Sequence, residues 1–187
     1  MAETQTTPRA IPVLETERLR LRPHRPGDFD FSVALWADPI VTRYIGGRGL
    51  TREEVWGRLL RYDGHWAMLG FGYWALEEKS SGTFLGELGF ADLQREIEPR
   101  LDGMAEIGWV LAPQHHGKGY ATEAVRAVVN WGDAHLSNSR MVALIHPENM
   151  ASLRVAGKFG FRELCRTTYH DEPTVQLVRE IPGQAGN

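Results

Sequence analysis

Hydrophobic and polar residues alternate in several short stretches of the chain, and this two-residue period is typical of strands with one buried face. The clearest stretch is 18–22, where Arg and Leu alternate strictly before Pro23. Six further apolar runs, bounded by Gly, Pro or polar turns, predict additional strands. They cover 71–77, 83–90, 105–111, 140–146, 162–169 and 174–180. The pattern therefore indicates a sheet of about seven strands.

Segments with a helical period lie between these strands. The strongest is 121–132, where apolar residues recur at i, i+3, i+4 and i+7 and form a one-sided stripe. The expected N-caps of the other helices are Asp28, Thr51 in a capping box with Glu54, and Asn149. These three helices would end near Trp36, Trp66 and Gly160.

The order of the predicted elements is β-α-α-β-β-β-α-β-α-β-β, which indicates an α/β or α+β domain with a mixed sheet. The β-α-β unit over 105–146 should be a right-handed parallel crossover. No linker divides the chain, so we expect one domain at 14–181, between a flexible arm at 1–13 and a flexible tail at 182–187. The arginines of 18–22 would share one solvated face.

Composition narrows the class of protein. The chain has 187 residues, 42% of them hydrophobic, and a formal net charge of −3, so it lacks the basic excess of a protein that coats nucleic acid. No apolar run approaches the roughly 18 residues that span a bilayer. The first ten residues hold no apolar signal region, and the single Cys165 cannot form an internal disulfide. We expect a cytoplasmic protein without a membrane or nucleic-acid partner.

The segment with the clearest chemistry is 114–122, QHHGKGYAT, between a predicted strand and a predicted helix. Its two glycines allow a tight turn with uncovered main-chain N–H groups, and the helix adds unpaired donors and the positive end of its dipole. Such a turn suits a phosphate or a pyrophosphate. The spacing differs from both G-x-x-x-x-G-K-[ST] and G-x-G-x-x-G, which disfavours nucleotide triphosphate and dinucleotide sites.

The segment resembles the acetyl-CoA pyrophosphate loop, Gln-x-x-Gly-x-Gly, of the GNAT superfamily of N-acetyltransferases. The resemblance extends in matching order over roughly residues 13–180. It includes LETERLRLR at 14–22, EIGW at 106–109, QHHGKGYATEA at 114–124, NMAS at 149–152 and KFGF at 158–161. These motifs are most similar to the RimJ/RimL-like branch, which acetylates the N termini of ribosomal proteins.

The resemblance implies a GNAT fold, a mostly antiparallel sheet whose strands at 105–111 and 140–146 splay apart to hold the pantetheine arm of acetyl-CoA. The residues implied to bind the coenzyme are Trp109, Val110 and Leu111 on the strand, His116, Gly117, Lys118, Gly119, Tyr120, Ala121 and Thr122 in the loop and first helical turn, and Asn149. The adenosine 3′-phosphate could meet Lys118, Arg154 or Lys158, and the sequence does not choose among them.

The implied reaction transfers acetyl directly from the thioester to an amine, which must first lose a proton. Glu106 is the first candidate base, because it is the ionisable residue of the 105–111 strand, and Glu87 is the second. Ser152 matches a position near the sulfur and is the candidate proton donor to the thiolate. The adjacent His115 and His116 lack the i, i+4 spacing of a helical zinc pair, so we expect no metal.

The acceptor is left open between an amine-bearing small molecule and a protein N terminus, and a non-catalytic CoA-binding protein is the alternative function. The long segment 91–104 could supply an acidic rim for a cationic amine, from Asp92, Glu96, Glu98 and Asp102. An aromatic wall could come from Trp36, Tyr44, Trp66, Trp74 and Trp109. The oligomeric state is also open, a homodimer included.

Overall fold

One sheet forms the centre of the computed structural model, which describes residues 10–101, 103–137 and 140–182. Within those residues eight strands follow one another across the sheet in the order β1-β2-β3-β4-β5-β6-β8-β7. The strands are β1 (Leu14–Glu15), β2 (Leu19–Arg22), β3 (Tyr73–Glu78), β4 (Phe84–Ala91), β5 (Ala105–Leu111), β6 (Arg140–Ile145), β7 (Arg162–Tyr169) and β8 (Glu172–Glu180). The seven expected strands are confirmed, and β1 is added, a strand of two residues that is too short for a pattern to reveal.

Five helices connect and cover these strands in the described part of the chain. They are α1 (Phe29–Ala37), α2 (Pro39–Thr42), α3 (Arg52–Leu69), α4 (Tyr120–His135) and α5 (Met150–Lys158). The predicted capping box is present, because Thr51 accepts from the Glu54 N–H while the Glu54 side chain accepts from the Thr51 N–H. Asn149 likewise caps α5 by accepting from the Ser152 N–H at 3.1 Å.

The sheet is antiparallel except where β5 and β6 run parallel. Their pairing is limited to Ala105 with Met141 and Glu106 with Val142, after which the two strands separate. This is the expected splay between 105–111 and 140–146. The rest of β5 keeps β4 as a neighbour on its other side, from Ala91–Glu106 to Gly86–Leu111. One edge of β5 is therefore without a partner strand beyond Glu106.

Helices pack on both faces of the sheet. The main core lies under α4, whose predicted apolar stripe is buried through Ala124, Val125 and Val128. A smaller cluster joins Leu35 and Trp36 of α1 to Val110 of β5. Because side chains alternate along a strand, Val110 and Leu111 face opposite cores. Among the described residues no helix is long and apolar enough to cross a membrane.

The two predicted terminal segments fall mainly outside the described residues, which begin at Ala10 and end at Pro182. Residues 10–13 of the expected arm contact the domain. Ile11 packs against the main core, and the Pro12 carbonyl accepts a hydrogen bond of 2.8 Å from the Trp74 indole.

A buried ion-pair network corrects two expectations at the start of the chain. Arg22 was expected on a solvated face, but it is only 5% exposed. It donates to both oxygens of Asp28, at 2.7 and 2.8 Å, and to Glu77 at 2.7 Å. Asp28 therefore does not cap α1 with its side chain, which instead accepts from Arg22 and from the Arg25 N–H. The buried charges draw the chain after β2 against β3.

Replacement of Asp28 by Asn should cost about 3 kcal/mol of unfolding free energy, because it leaves Arg22 buried with one of its two acidic partners. Burial raises the pKa of Asp28, but hydrogen bonds from Arg22 and from the Arg25 N–H outweigh it, so the pKa is lowered overall. The stabilisation is thus present above the unfolded-state pKa and is lost as the pH falls through the lowered folded-state value. Urea unfolding at several pH values measures both effects.

The matched control for this prediction is Asp30→Asn, which changes an exposed carboxylate paired with the exposed Arg52. Its cost should stay within about 0.5 kcal/mol. An Asp28→Asn cost as small as that of the control would contradict the structural role of the network.

Candidate active site

The unpaired edge of β5 presents main-chain groups to the opening between β5 and β6. The Ala112 N–H bonds the Leu85 carbonyl at 2.9 Å, so alternate residues from Ala112 backwards point their main-chain groups at β4. Trp109 and Leu111 therefore point theirs away from β4, towards the opening. Val110, expected to share this role, directs its main chain at Glu87 of β4 instead.

The loop between β5 and α4 turns sharply at its two glycines. Gly117 and Gly119 have φ angles of 74° and 81°, the left-handed region that glycine adopts without strain. A Cβ at Gly117 would meet nothing within 4 Å, and one at Gly119 would approach only the Arg18 guanidinium, at 3.4 Å. The glycines are thus required for the turn, and the space above them is open.

Main-chain donors of this loop point into that space. Within the described residues, the N–H groups of Gly117, Lys118 and Gly119 form no hydrogen bond to the protein. The first turn of α4, from Tyr120 to Thr122, adds N–H groups without an intrahelical acceptor. His116 is an exception to the expectation, because its N–H donates to the Pro113 carbonyl at 3.0 Å. Its side chain contacts the Leu111 carbonyl at 2.8 Å.

The segment before β2 holds this loop in place. Arg18 donates to the Lys118 carbonyl at 2.9 Å and to Glu123 of α4 at 2.7 Å, and its guanidinium lies 4.6 Å from the centroid of the Tyr120 ring. Glu123 also accepts from the Thr16 hydroxyl at 2.6 Å. These contacts explain why the motif at 14–22 accompanies the glycine loop in sequence, since the two segments form one structural unit that we call the loop clamp.

The start of α5 lies near the same opening. The Asn149 side chain caps the helix, and the Ser152 hydroxyl is not needed for capping and has no hydrogen bond to the described residues. At the end of α5, the Lys158 ammonium lies 3.4 Å from the Thr122 hydroxyl in the first turn of α4. Of the basic residues considered for the 3′-phosphate, Lys118 and Lys158 thus lie on or beside the glycine loop.

Glu106 is engaged by an arginine that the sequence did not single out. Arg95 donates to both oxygens of Glu106, at 2.6 and 2.8 Å, and its guanidinium lies 4.9 Å from the Tyr169 ring centroid. A cavity of about 20 Å³, room for one water, adjoins the pair. Both oxygens of Glu106 therefore accept hydrogen bonds from a guanidinium group that stays charged.

Glu87 lies fully buried on the face of the sheet covered by α1 and α3. One of its oxygens accepts from the Trp36 indole at 2.7 Å and from the Tyr62 hydroxyl at 2.5 Å. Its other oxygen is buried and has no partner among the described residues. Burial, and then the charge of Glu87, raise the pKa of Tyr62 well above its ordinary value, so Tyr62 remains a hydrogen-bond donor.

Glu87 and its two hydrogen-bond donors, Trp36 and Tyr62, form a group that we call the acid cluster. Tyr73 connects this cluster to β5. Its ring stacks flat on that of Tyr62, with the centroids 4.5 Å apart. Its hydroxyl lies over Gly108, where a Cβ would come within 2.1 Å of the oxygen. The hydroxyl has no hydrogen bond to the described residues, and burial followed by the charge of Glu106 raises its pKa. Neither Tyr62 nor Tyr73 was a sequence candidate, because tyrosines with strand or helix spacing read as core.

Hydrogen bonds from α3 and β8 hold parts of the segment 91–101. His65 of α3 contacts the Asp92 carbonyl at 3.0 Å, and the fully buried Gln176 of β8 donates to the Pro99 carbonyl at 3.0 Å. The Asp92 carboxylate accepts hydrogen bonds from the main-chain N–H and from the side-chain amide of Gln94. Glu96 and Glu98 are exposed, and Asp102 lies outside the described residues.

The expected aromatic wall is only partly present. Trp66 and Trp74 pack with Trp131 in the main core, as edge-to-face pairs, and do not reach the acid cluster. Trp36 does reach it, through its hydrogen bond to Glu87. Among the described residues no three His, Cys, Asp or Glu side chains come together as a metal site would require.

Comparison with known proteins agrees with this geometry. The acetyltransferase (GNAT) domain family matches residues 18–162. Bacillus subtilis YkkB, an uncharacterized protein, is 37% identical over 151 residues, which cover 79% of this chain and 83% of YkkB. The uncharacterized N-acetyltransferase p20 of Bacillus licheniformis is 30% identical over 80% of this chain and 82% of its own. An Agrobacterium tumefaciens acetyltransferase structure is 27% identical with a TM-score of 0.77, covering 95% of this chain and 99% of the other.

The chain therefore belongs to the GNAT acetyltransferase family, and its splayed mixed sheet is the GNAT fold. It is an enzyme that transfers acetyl from acetyl-CoA to an amine.

Replacement of Arg18 by Gln should loosen the glycine loop, because it removes the donors to the Lys118 carbonyl and to Glu123. We expect amide hydrogen exchange over 116–122 to become at least about threefold faster, with the main core unchanged. The control is Arg20→Gln, which alters an arginine of β2 paired with Glu15 and Glu77, away from the loop. Equal exchange in the two variants would show that Arg18 does not hold the loop.

Proposed function

We propose that the site transfers acetyl directly from the thioester of acetyl-CoA to a primary amine, without an acyl-enzyme intermediate. The observation that carries this proposal is the unpaired edge of β5 beside a loop in which the N–H groups of Gly117, Lys118 and Gly119 have no partner among the described residues. An extended arm can pair with such an edge as an added strand does, while the loop and the dipole of α4 attract its diphosphate.

The proposed contacts of the coenzyme follow from these groups. Trp109 and Leu111 offer main-chain groups to the pantetheine, and Gly117, Lys118, Gly119, Tyr120, Ala121 and Thr122 offer N–H groups to the pyrophosphate. Asn149 keeps its side-chain NH₂ for the coenzyme while its oxygen caps α5. Lys158, beside Thr122, is the favoured partner of the 3′-phosphate.

In the reaction the amine nitrogen attacks the thioester carbonyl, so that an N–C bond forms and the C–S bond breaks. The nitrogen loses one proton to a base, and the departing thiolate gains one. We assign the donation to Ser152, whose hydroxyl is not otherwise used. The outward N–H of Trp109 or Leu111 would stabilise the negative charge on the carbonyl oxygen.

We assign the base to Glu87 ahead of Glu106. A carboxylate whose two oxygens both accept hydrogen bonds from an arginine has no oxygen available for the proton of the amine. Glu106 is held by Arg95, and one oxygen of Glu87 is unpaired. Since Glu87 is fully buried, the proton must arrive through a relay, in which the Tyr62 hydroxyl gives its own proton to the Glu87 oxygen that it contacts and takes up the proton of the amine. Glu106 then orients Arg95 at the cleft wall.

The fold allows several acceptors. Its neighbours include a spermidine acetyltransferase, an aminoglycoside acetyltransferase and RimL, which modifies a ribosomal protein, at 17%, 20% and 17% identity, so each shows the fold alone. The RimJ/RimL-like motifs support a protein N terminus, and nothing in the fold favours it over a small amine.

The experiment that tests the function is acetyl-CoA turnover over a panel of small amines and of peptides with varied first residues. We expect turnover with at least one class, and we expect Gly117→Asp to abolish it by placing a carboxylate where the diphosphate lies. Calorimetry should show CoA binding at least about tenfold weaker in Gly117→Asp than in Gly117→Asn, which has nearly the same shape and tolerates the positive φ similarly but lacks the charge. Equal affinities would remove the loop from the coenzyme site.

The base is tested by the pH dependence of turnover. Glu87→Gln should lower kcat by about 100-fold or more, leave the KM for acetyl-CoA unchanged and remove the acidic limb of the pH–rate profile. Glu106→Gln should keep that limb. Thermal unfolding of both variants controls for misfolding. A profile that loses its acidic limb in Glu106→Gln and retains it in Glu87→Gln would reverse the assignment.

A further inference from the structure

Two arginines of α3 lie beside the acid cluster without an anionic partner in contact. The Arg58 guanidinium stacks on Trp36, 3.9 Å from its ring centroid, and donates to the Tyr62 hydroxyl at a long 3.4 Å. Its Nε is buried and has no hydrogen-bond partner among the described residues. The side chain of Arg61, at the next turn, is exposed and forms no hydrogen bond or ion pair to the part of the chain that the structure describes.

This situation differs from that of other arginines in the same domain. Arg22 and Arg95 each hold a carboxylate with two donors, and the exposed Arg48 does the same with Glu54. A buried guanidinium nitrogen without an acceptor costs stability, so its persistence beside a cleft points to a ligand that supplies the acceptor.

The two arginines lie one turn apart on α3, and His65, one turn after Arg61, contacts the Asp92 carbonyl at 3.0 Å, so this side of α3 faces the segment that carries Arg95. Partial burial lowers the pKa of Arg61, and the positive charges of Arg58 and then Arg95 lower it further. Arg95 is neutralised by Glu106. Arg58 is attracted by Glu87 without contacting it. Among the described residues, no carboxylate contacts the guanidinium of Arg58 or Arg61, so this side of α3 carries unpaired positive charge.

The stacked rings of Tyr62 and Tyr73 relate the position of the two arginines to β5. Tyr62, on the same helix as both arginines, lies flat on Tyr73, whose hydroxyl stands over Gly108 of β5. A ligand at Arg58 and Arg61 is thus separated from the strand that faces the thioester by this pair of rings. An acceptor held there can place an amine at β5 and another group at the arginines.

Resting on the proposed function, we propose that the acceptor is a primary amine that also carries a carboxylate, as an amino acid does, and that Arg58 and Arg61 bind that carboxylate. A guanidinium matches a carboxylate with two parallel donors, which favours this class through charge-assisted hydrogen bonds. A polyamine or an aminoglycoside would instead bring positive charge against two arginines.

The test compares acceptors that differ only in the carboxylate. Acetyl-CoA turnover is measured over free amino acids and over their α-amides, with spermidine as a polycation. We expect kcat/KM for the best amino acid to exceed that for its amide by at least about tenfold. Arg61→Gln should raise the KM for the acid and reduce this preference at least about threefold, with the kcat/KM for the amide unchanged.

Two further variants keep the result interpretable. Arg58→Lys retains the charge but not the paired donors, and it should lower the acid-to-amide preference while the protein stays folded. Arg52→Gln changes an exposed arginine of the same helix that pairs with Asp30, and it should leave the preference unchanged. If Arg61→Gln and Arg58→Lys both retain the full preference, the arginines do not bind the carboxylate.

The possible failures are distinguishable. Turnover that prefers amides or spermidine overturns the carboxylate inference and leaves the proposed function standing. Absence of turnover with every amine overturns the proposed function, and calorimetry with the N-acetyl amino acids then decides the inference. Binding that weakens in Arg61→Gln supports it, and absence of binding overturns it.

Discussion

The separation of β5 from β6 is the constraint on which the rest of the site depends. Two residue pairs join these strands, and beyond them one edge of β5 has main-chain groups without a partner strand. A sheet interior that loses a strand neighbour must satisfy those groups in another way, or bear their cost. Each element around the opening is arranged about this edge, since the glycine loop follows β5 directly and α5 follows β6. The separation of the two strands therefore determines where the glycine loop and the start of α5 lie.

Rigidity at this opening comes from long-range contacts. The loop clamp joins the start of the chain to α4, more than a hundred residues later, through Arg18, Thr16 and Glu123. On the other face, Gln176 of β8 and His65 of α3 fix opposite ends of the 91–104 segment. A flexible glycine turn would lose conformational entropy when it became ordered around a ligand. These contacts order the loop and its surroundings during folding, so little further ordering is required when a ligand binds.

Much of this architecture could be predicted from the sequence because it follows local rules. Strand alternation, the Thr51–Glu54 box, the Asn149 cap and the stripe of α4 depend on residues close together in the chain, and all were recovered. The errors arose where distant residues meet. Asp28 has the sequence of a helix cap, but Arg22 lies across a turn and takes its side chain. Arg22 itself alternates like a surface residue and is buried by the same pair.

The candidate site shows the same division. The glycine loop could be predicted because the spacing of its glycines determines its turn. The Glu106–Arg95 pair could not be predicted, because no local pattern shows that Arg95, eleven residues earlier in the chain, contacts a residue of β5. The Glu87 cluster depends on side chains from α1, α3 and β4, and no spacing rule connects these elements. The spacing also did not reveal that the His116 N–H donates to the nearby Pro113 carbonyl.

The contact of Tyr73 with Gly108 limits how this site can change. Residue 108 has no room for a methyl group while a tyrosine hydroxyl stands above it. Conversely, a shorter side chain at position 73 would leave a gap over β5 that a larger residue at 108 could fill. Substitutions at positions 73 and 108 should therefore depend on each other. Laboratory evolution by single substitutions should rarely change this part of the cleft, whereas simultaneous substitution of both residues could change its shape for a new acceptor.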